Sequence, residues 1–68
     1  MNTNMIKSKM KLFGDTNANL ANEIGISAPR LSAKINGANG AEFTQSEIDK
    51  IKNRYKLTPD EVNEIFFA

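Results

Sequence analysis

The side chains best equipped for chemistry lie in the stretch GISAPRLSAKING, Gly25 to Gly37. It holds two cations, Arg30 and Lys34, two hydroxyls, Ser27 and Ser32, and no acid. Donors gathered without acids suit an anionic or acceptor-rich partner. The guanidinium of Arg30 is a planar fork that matches paired acceptors, whereas the ammonium of Lys34 is a point charge. The chain has no histidine and no cysteine. That removes the usual general base, the usual zinc ligand, thiolate metal sites and disulfides together. No P-loop or glycine-rich dinucleotide motif is present either. An enzyme is therefore not expected, and neither is a metal or another cofactor.

The elements that must position these donors are constrained by size. With 68 residues the chain holds one domain. A domain of this size is marginal by itself and relies on regular helix packing or on pairing. The net charge of +1 conceals an asymmetry. Residues 1–41 carry Lys7, Lys9, Lys11, Arg30 and Lys34 against Asp15 and Glu23, while residues 42–68 carry four bases against six acids. A mildly basic first half suits a polyanion on one side only. The bland reading is ordinary solvated surface, and it fits Lys7, Lys9 and Lys11, which fall on different sides of the first helix. No apolar run approaches the ~20 residues of a membrane span. The N-terminus has no continuous apolar core, so no signal peptide is expected, and a cytoplasmic location fits the absent cysteine.

Local signals predict five helices and no strand. Three places repeat an apolar residue, a capping hydroxyl and a second apolar residue: Ile26-Ser27 with Leu31, Phe43-Thr44 with Ile48, and Leu57-Thr58 with Val62. The hydroxyl can accept an orphan backbone N–H of the first turn. Glu47 and Glu61 stand where a capping box needs them, and Pro59 stands where a missing N–H costs nothing. The first helix is expected over Asn4 to Phe13, with Ile6, Met10 and Phe13 on one face. The second starts at Thr16 and buries Leu20, Ala21 and Ile24. The third starts at Ser27, buries Leu31 and Ile35, and stops at Asn36-Gly37. The loop GANGAEF follows. The fourth, from Thr44, buries Ile48, Ile51 and Tyr55, the tyrosine hydroxyl lying at the rim. The fifth, from Thr58, buries Val62, Ile65 and Phe66.

Helices two and three are too short to be stable alone, since isolated helices below ~12–15 residues are marginal. Ala21 lets their axes approach closely, and Gly25 permits a sharp turn. Two helices crossing steeply through such a turn form a helix-turn-helix. On a helical wheel, Leu31 and Ile35 mark the inward side of helix three. Pro29, Arg30 and Ala33 lie opposite, Lys34 and Asn36 on the flanks, and Ser27 and Ala28 at the exposed N-terminal end. The major groove of B-DNA admits an α-helix, and a face without acids enters it without repelling phosphates.

The stretch TNANLANEIGISAPRLSAKING resembles the helix-turn-helix of the lambda-type Cro and repressor superfamily. Thr16, Leu20, Ala21, Gly25, Ile26, Ser27, Leu31, Asn36 and Gly37 match its pattern. The ending FTQSEIDKIKNRYKLTPDEVNEIFFA is similar to the last two helices of small phage and prophage regulators from Gram-positive bacteria. Two departures stand out. Lys34 occupies a place often apolar, and Ala28, Pro29 and Ala33 occupy places where hydrogen-bonding residues often sit. The resemblance implies an all-α, lambda-repressor-like five-helix fold. It also implies a DNA-binding transcriptional regulator, a Cro-like repressor acting as a homodimer on a pseudo-palindromic operator.

The expected base contacts are Ser27, Ala28, Pro29, Arg30 and Ala33. The expected phosphate contacts are Thr16, Asn17, Lys34, Asn36, Thr44 and Gln45, at helix N-termini or on the flanks of helix three. Phe67 lies off the Val62–Ile65–Phe66 stripe and is the expected dimer contact, with the loop from Ala38 to Phe43 as the other place to look. A protein-interaction module without duplex affinity is the rival reading, because fold does not fix function.

Overall fold

Every helix begins at a polar side chain that takes up an orphan backbone N–H. The computed structural model describes all 68 residues, Met1–Ala68. It contains α1 (Thr3–Leu12), α2 (Asn17–Ile24), α3 (Ala28–Asn36), α4 (Gln45–Tyr55) and α5 (Pro59–Val62), and no strand. Asn2 accepts from the N–H of Met5 at 3.1 Å, Thr16 from Asn19 at 3.1 Å and Ser27 from Arg30 at 3.3 Å. Thr44 and Thr58 accept from Glu47 and Glu61, each at 3.2 Å, and both glutamates reach back to the cap N–H at 2.9 Å. Both capping boxes expected from the sequence are thus present. Each cap contributes about 1 kcal/mol to helices that need it.

The turn between α2 and α3 is set by Gly25, whose φ is +81°. The N–H of Ile26 donates to the carbonyl of Ala21 at 2.9 Å and that of Gly25 to Asn22 at 3.3 Å. This paired closure requires a left-handed residue, which glycine adopts without a Cβ penalty. A Cβ there would meet nothing within 4 Å, so φ alone demands glycine. Gly37 stops α3 in the same left-handed conformation, with φ +67° and a single bond from its N–H to the Ala33 carbonyl.

One core joins the helices. Ile6, Leu20, Leu31, Ile51 and Ile65 are completely buried, with Met10, Ala21, Ile24, Ile35, Tyr55 and Leu57 around them. Side chains from α1, α2, α3 and α4 therefore share one core with Ile65 near the C-terminus. Two backbone acceptors fasten the ends of the chain to this body. The N–H of Asn2 donates to the carbonyl of Ile65 at 2.7 Å, and the hydroxyl of Thr3 to the carbonyl of Ile35 at 3.2 Å.

Four details differ from the sequence expectation. The loop after Gly37 contains a short 3₁₀ turn, Ala38–Gly40. The fifth helix keeps α geometry only to Val62 and continues as one wider π turn, Asn63–Phe67. Within that last segment Ile65 is buried, but Val62 and Phe66 are half-buried. Phe13 does not join the core. It lies past the last residue of α1 as its C-cap and is exposed, with its ring 5.1 Å from that of Tyr55. No helix is long and apolar enough to cross a membrane.

Candidate nucleic-acid interface

The outer side of α3 is built by its cap and its two inward anchors. Leu31 and Ile35 are buried, which turns Pro29, Arg30 and Asn36 outward, and all three are exposed. Ser27 is exposed at the helix start, and Ala28 and Ala33 are half-buried. The Ser27 oxygen accepts the cap bond from Arg30 N–H, which leaves the hydroxyl proton free to donate outward. No carboxylate lies within 4 Å of the Arg30 guanidinium. This surface can offer a serine hydroxyl, an unpaired arginine fork and small apolar groups. That set suits acceptor pairs on base edges and thymine methyl groups.

Thr16, Asn17, Thr44 and Gln45 stand at the N-termini of α2 and α4 and are exposed. The two threonine oxygens are used as caps, and again their protons remain available. Asn17 donates one amide N–H to the Ser32 hydroxyl at 3.0 Å, a link between α2 and α3. Gln45 donates one to Asp49 at 3.2 Å. Each amide keeps a second N–H. Around these positions the orphan backbone N–H groups carry the positive end of the helix dipole.

Lys34 requires a correction. The wheel put it on an exposed flank as a phosphate contact. In the structure it is buried, 8% exposed, with Nζ 2.6 Å from Glu47 Oε1. The same carboxylate oxygen accepts the Thr44 N–H at 2.9 Å. Burial pushes the Glu47 carboxyl up, but the Lys34 ammonium and the Thr44 N–H outweigh burial and hold it below the ordinary 4.5. Glu47 is therefore ionised at neutral pH, and Lys34, held against it, is not a free cation. The inward angle of α3 is wide enough to include Lys34 beside Ile35, where an acid from α4 receives it.

A second polar cluster has no counterpart in the sequence expectation. Asp15, directly before α2, is nearly enclosed, its side chain 4% exposed. It accepts from Arg54 Nε at 2.7 Å, Arg54 Nη2 at 2.6 Å and the Tyr55 hydroxyl at 2.7 Å. Arg54 also approaches Glu23 of α2 at 3.4 Å. The Arg54 hydrogen bonds hold the Asp15 carboxyl below its ordinary 3.8, against burial and with help from the Tyr55 hydroxyl. Burial, and then the Asp15 carboxylate, push the Tyr55 hydroxyl above its ordinary 10.0. The cluster fixes α2 against the C-terminal end of α4. Asp15 and Arg54 are 39 positions apart, and no local pattern pairs them. Lys9 of α1 meets Glu61 of α5 at 2.6 Å.

Phe67 is 61% exposed, next to Phe66 with ring centroids 6.5 Å apart. Phe66 in turn packs edge-on against Phe43 at 5.5 Å. The three rings border an open cleft of about 450 Å³ whose other walls include Ile35, Ile48 and Met1. Both segments named as possible self-contacts, Phe67 and the 38–43 loop, thus meet at one cleft.

No family model, no curated protein and no solved structure matches the chain.

Proposed function

We propose that the chain is a sequence-specific double-stranded DNA-binding transcriptional regulator of the Cro/repressor type. The α2–α3 pair serves as the helix-turn-helix, with α3 in the major groove. Arg30 reads base edges, with Ser27, Ala28, Pro29 and Ala33 beside it. Thr16, Asn17, Asn36, Thr44 and Gln45 hold phosphates on either side of the groove. The observation that carries this reading is the outward face of α3: exposed, free of acids, and centred on an arginine without an ion-pair partner. A Cro-like phage or prophage repressor is the regulator type that this arrangement and the sequence resemblance together favour.

The cation supply is small. Lys9, Lys34 and Arg54 are engaged in ion pairs. Non-specific phosphate attraction is correspondingly modest, so affinity must come from two half-sites acting together. A homodimer with Phe67 at the two-fold contact supplies this, bringing the same aromatic patch from each copy to one interface. The same three rings also support the rival, a protein-interaction module whose partner covers them.

Selection of bound sequences from a random duplex pool at two salt concentrations tests the reading. Enrichment of a palindrome with half-sites one helical turn apart is the expected result. Absence of any enriched sequence at low salt, with the chain folded, refutes it and leaves the interaction module.

A further inference from the structure

The Lys34–Glu47 pair is a shielded ion pair beside the proposed DNA-facing residues. It lies between the C-terminal half of α3 and the first turn of α4, thirteen positions apart in sequence. It is shielded on both sides, with side chains 8% and 11% exposed. Thr44, whose N–H shares the Glu47 oxygen, is itself among the proposed phosphate contacts. A carboxylate this close to a phosphate repels it unless neutralised, and an ammonium this close attracts it unless engaged.

We propose that Lys34 and Glu47 form a neutralising clamp: Lys34 is a positioning residue that cancels the Glu47 charge and locks α3 to the N-terminus of α4, and Glu47 keeps Lys34 out of phosphate contact. The inference rests on the DNA-binding reading above. The carboxylate does two tasks that no neutral residue combines. It completes the α4 cap, and it withholds a cation from sequence-independent binding. The base-reading helix and the phosphate-holding helix end then move as one body, and the chain's attraction for random DNA stays low. A long apolar residue in place of Lys34 would leave a buried carboxylate with the Thr44 N–H but without a countercharge.

The geometry separates a clamp from a contact through charge bookkeeping. Each phosphate neutralised by a cation contributes about 0.9 to the slope of log K against log salt. Glu47→Gln preserves an acceptor for the Thr44 N–H and releases Lys34. If one further phosphate is then neutralised, binding tightens at low salt, and the affinity lost between 50 and 200 mM salt grows by a further factor of about 3.5, from that slope. Lys34→Met exposes the phosphate to an uncompensated acid and weakens binding. Lys34→Met with Glu47→Gln removes both charges at once and restores the wild-type affinity and slope.

The experiment is fluorescence anisotropy of wild type, Glu47→Gln, Lys34→Met and the double variant on a labelled 20-base-pair random-sequence duplex. It is run from 50 to 200 mM salt, with far-UV circular dichroism confirming each fold. The double variant keeps the test decisive if Lys34→Met alone does not fold. A steeper slope for Glu47→Gln with a wild-type slope for the double variant supports the clamp. An unchanged slope for Glu47→Gln, with a slope shallower by about one unit in the double variant, means that Lys34 already touches phosphate, and overturns it. A wild-type chain that binds neither this duplex nor any member of the random pool overturns the DNA reading first, and the clamp with it.

Discussion

Removing one oxygen from Tyr55 should cost stability in a way that depends on pH at both ends. Tyr55→Phe keeps the ring, which is buried at 2% exposure, and deletes only the hydroxyl that donates to Asp15 at 2.7 Å. Asp15 retains its two bonds from Arg54, so the carboxylate is not orphaned. The loss is one hydrogen bond to a charged acceptor, about 1.5–2 kcal/mol at neutral pH. With a urea m-value near ~1 kcal/mol/M for a chain of this size, the midpoint should fall by roughly 1.5–2 M. The acid side follows from Asp15. Its carboxyl is held below 3.8, so its contribution is complete above 3.8 and is lost as pH falls through the folded value. The alkaline side follows from Tyr55. Its hydroxyl is held above 10.0, so the wild type is favoured below 10.0 and loses that advantage as pH rises toward the folded value. The difference between wild type and Tyr55→Phe should therefore form a plateau between about pH 4 and 10 and shrink beyond either edge. Urea titrations followed by circular dichroism at a series of pH values measure it directly. A difference below ~0.5 kcal/mol at pH 7, or one that does not change at acid pH, refutes the account of the cluster.

Three further outcomes are expected. Arg30→Ala should lose about 1–3 kcal/mol on the preferred duplex and relax choice at one base position per half-site, read by repeating the pool selection; full retention of sequence preference would remove Arg30 as a reader. Lys56→Gly should stabilise the fold by about 0.5–1 kcal/mol in urea unfolding, because Lys56 is exposed at φ +52°, a conformation that costs a residue with a Cβ about 1–2 kcal/mol, partly offset by the greater entropy of glycine when unfolded. Phe67→Asp should leave a folded chain that sediments as a monomer at micromolar concentration, with most operator affinity gone and weak random-duplex binding kept. Unchanged two-to-one operator binding by that variant would direct the search to the other wall of the cleft, Ala38 to Phe43.

What the sequence made legible was local. Helix starts at Thr16, Ser27, Thr44 and Thr58, and stops at Gly25 and Gly37, depend on residues within four positions of each other, and the structure bears them out. The buried faces of α2, α3 and α4 were legible for the same reason, since Leu20 with Ile24, Leu31 with Ile35, and Ile48 with Ile51 and Tyr55 repeat with the helical period. Lys34 was misplaced because a wheel gives the direction of a side chain but not what receives it. An inward-flank lysine is stable only if an acid waits there, and Glu47 is placed by the path of the 38–43 loop, which has no periodic signal. Asp15, Arg54 and Tyr55 were unreadable as a group for a similar reason: their pairing is a property of the packed arrangement, 39 and 40 positions apart. The end of α5 escaped because apolar spacing over Val62, Ile65 and Phe66 does not distinguish an α turn from a wider one.

The two polar clusters explain how helices of eight and nine residues hold a fixed attitude. Both fasten to α4, at opposite ends. Glu47, in its first turn, receives Lys34 of α3; Arg54 and Tyr55, in its last turn, receive Asp15 and Glu23 from the start and the exposed side of α2. An acid at the N-terminus and an arginine at the C-terminus also agree with the dipole of α4. The apolar core alone cannot set this attitude with the same precision. Dispersion and burial are non-directional, and a small core tolerates rotation of a short helix about its own axis. Bidentate and buried ion pairs have direction, and breaking one leaves an uncompensated charge. In this chain α4 is thus a strut between two directional anchors, and the α2–α3 pair spans it. Whatever partner the outer face of α3 meets, the angle at which Arg30 is presented is set from behind, by side chains on α4 that never reach that face.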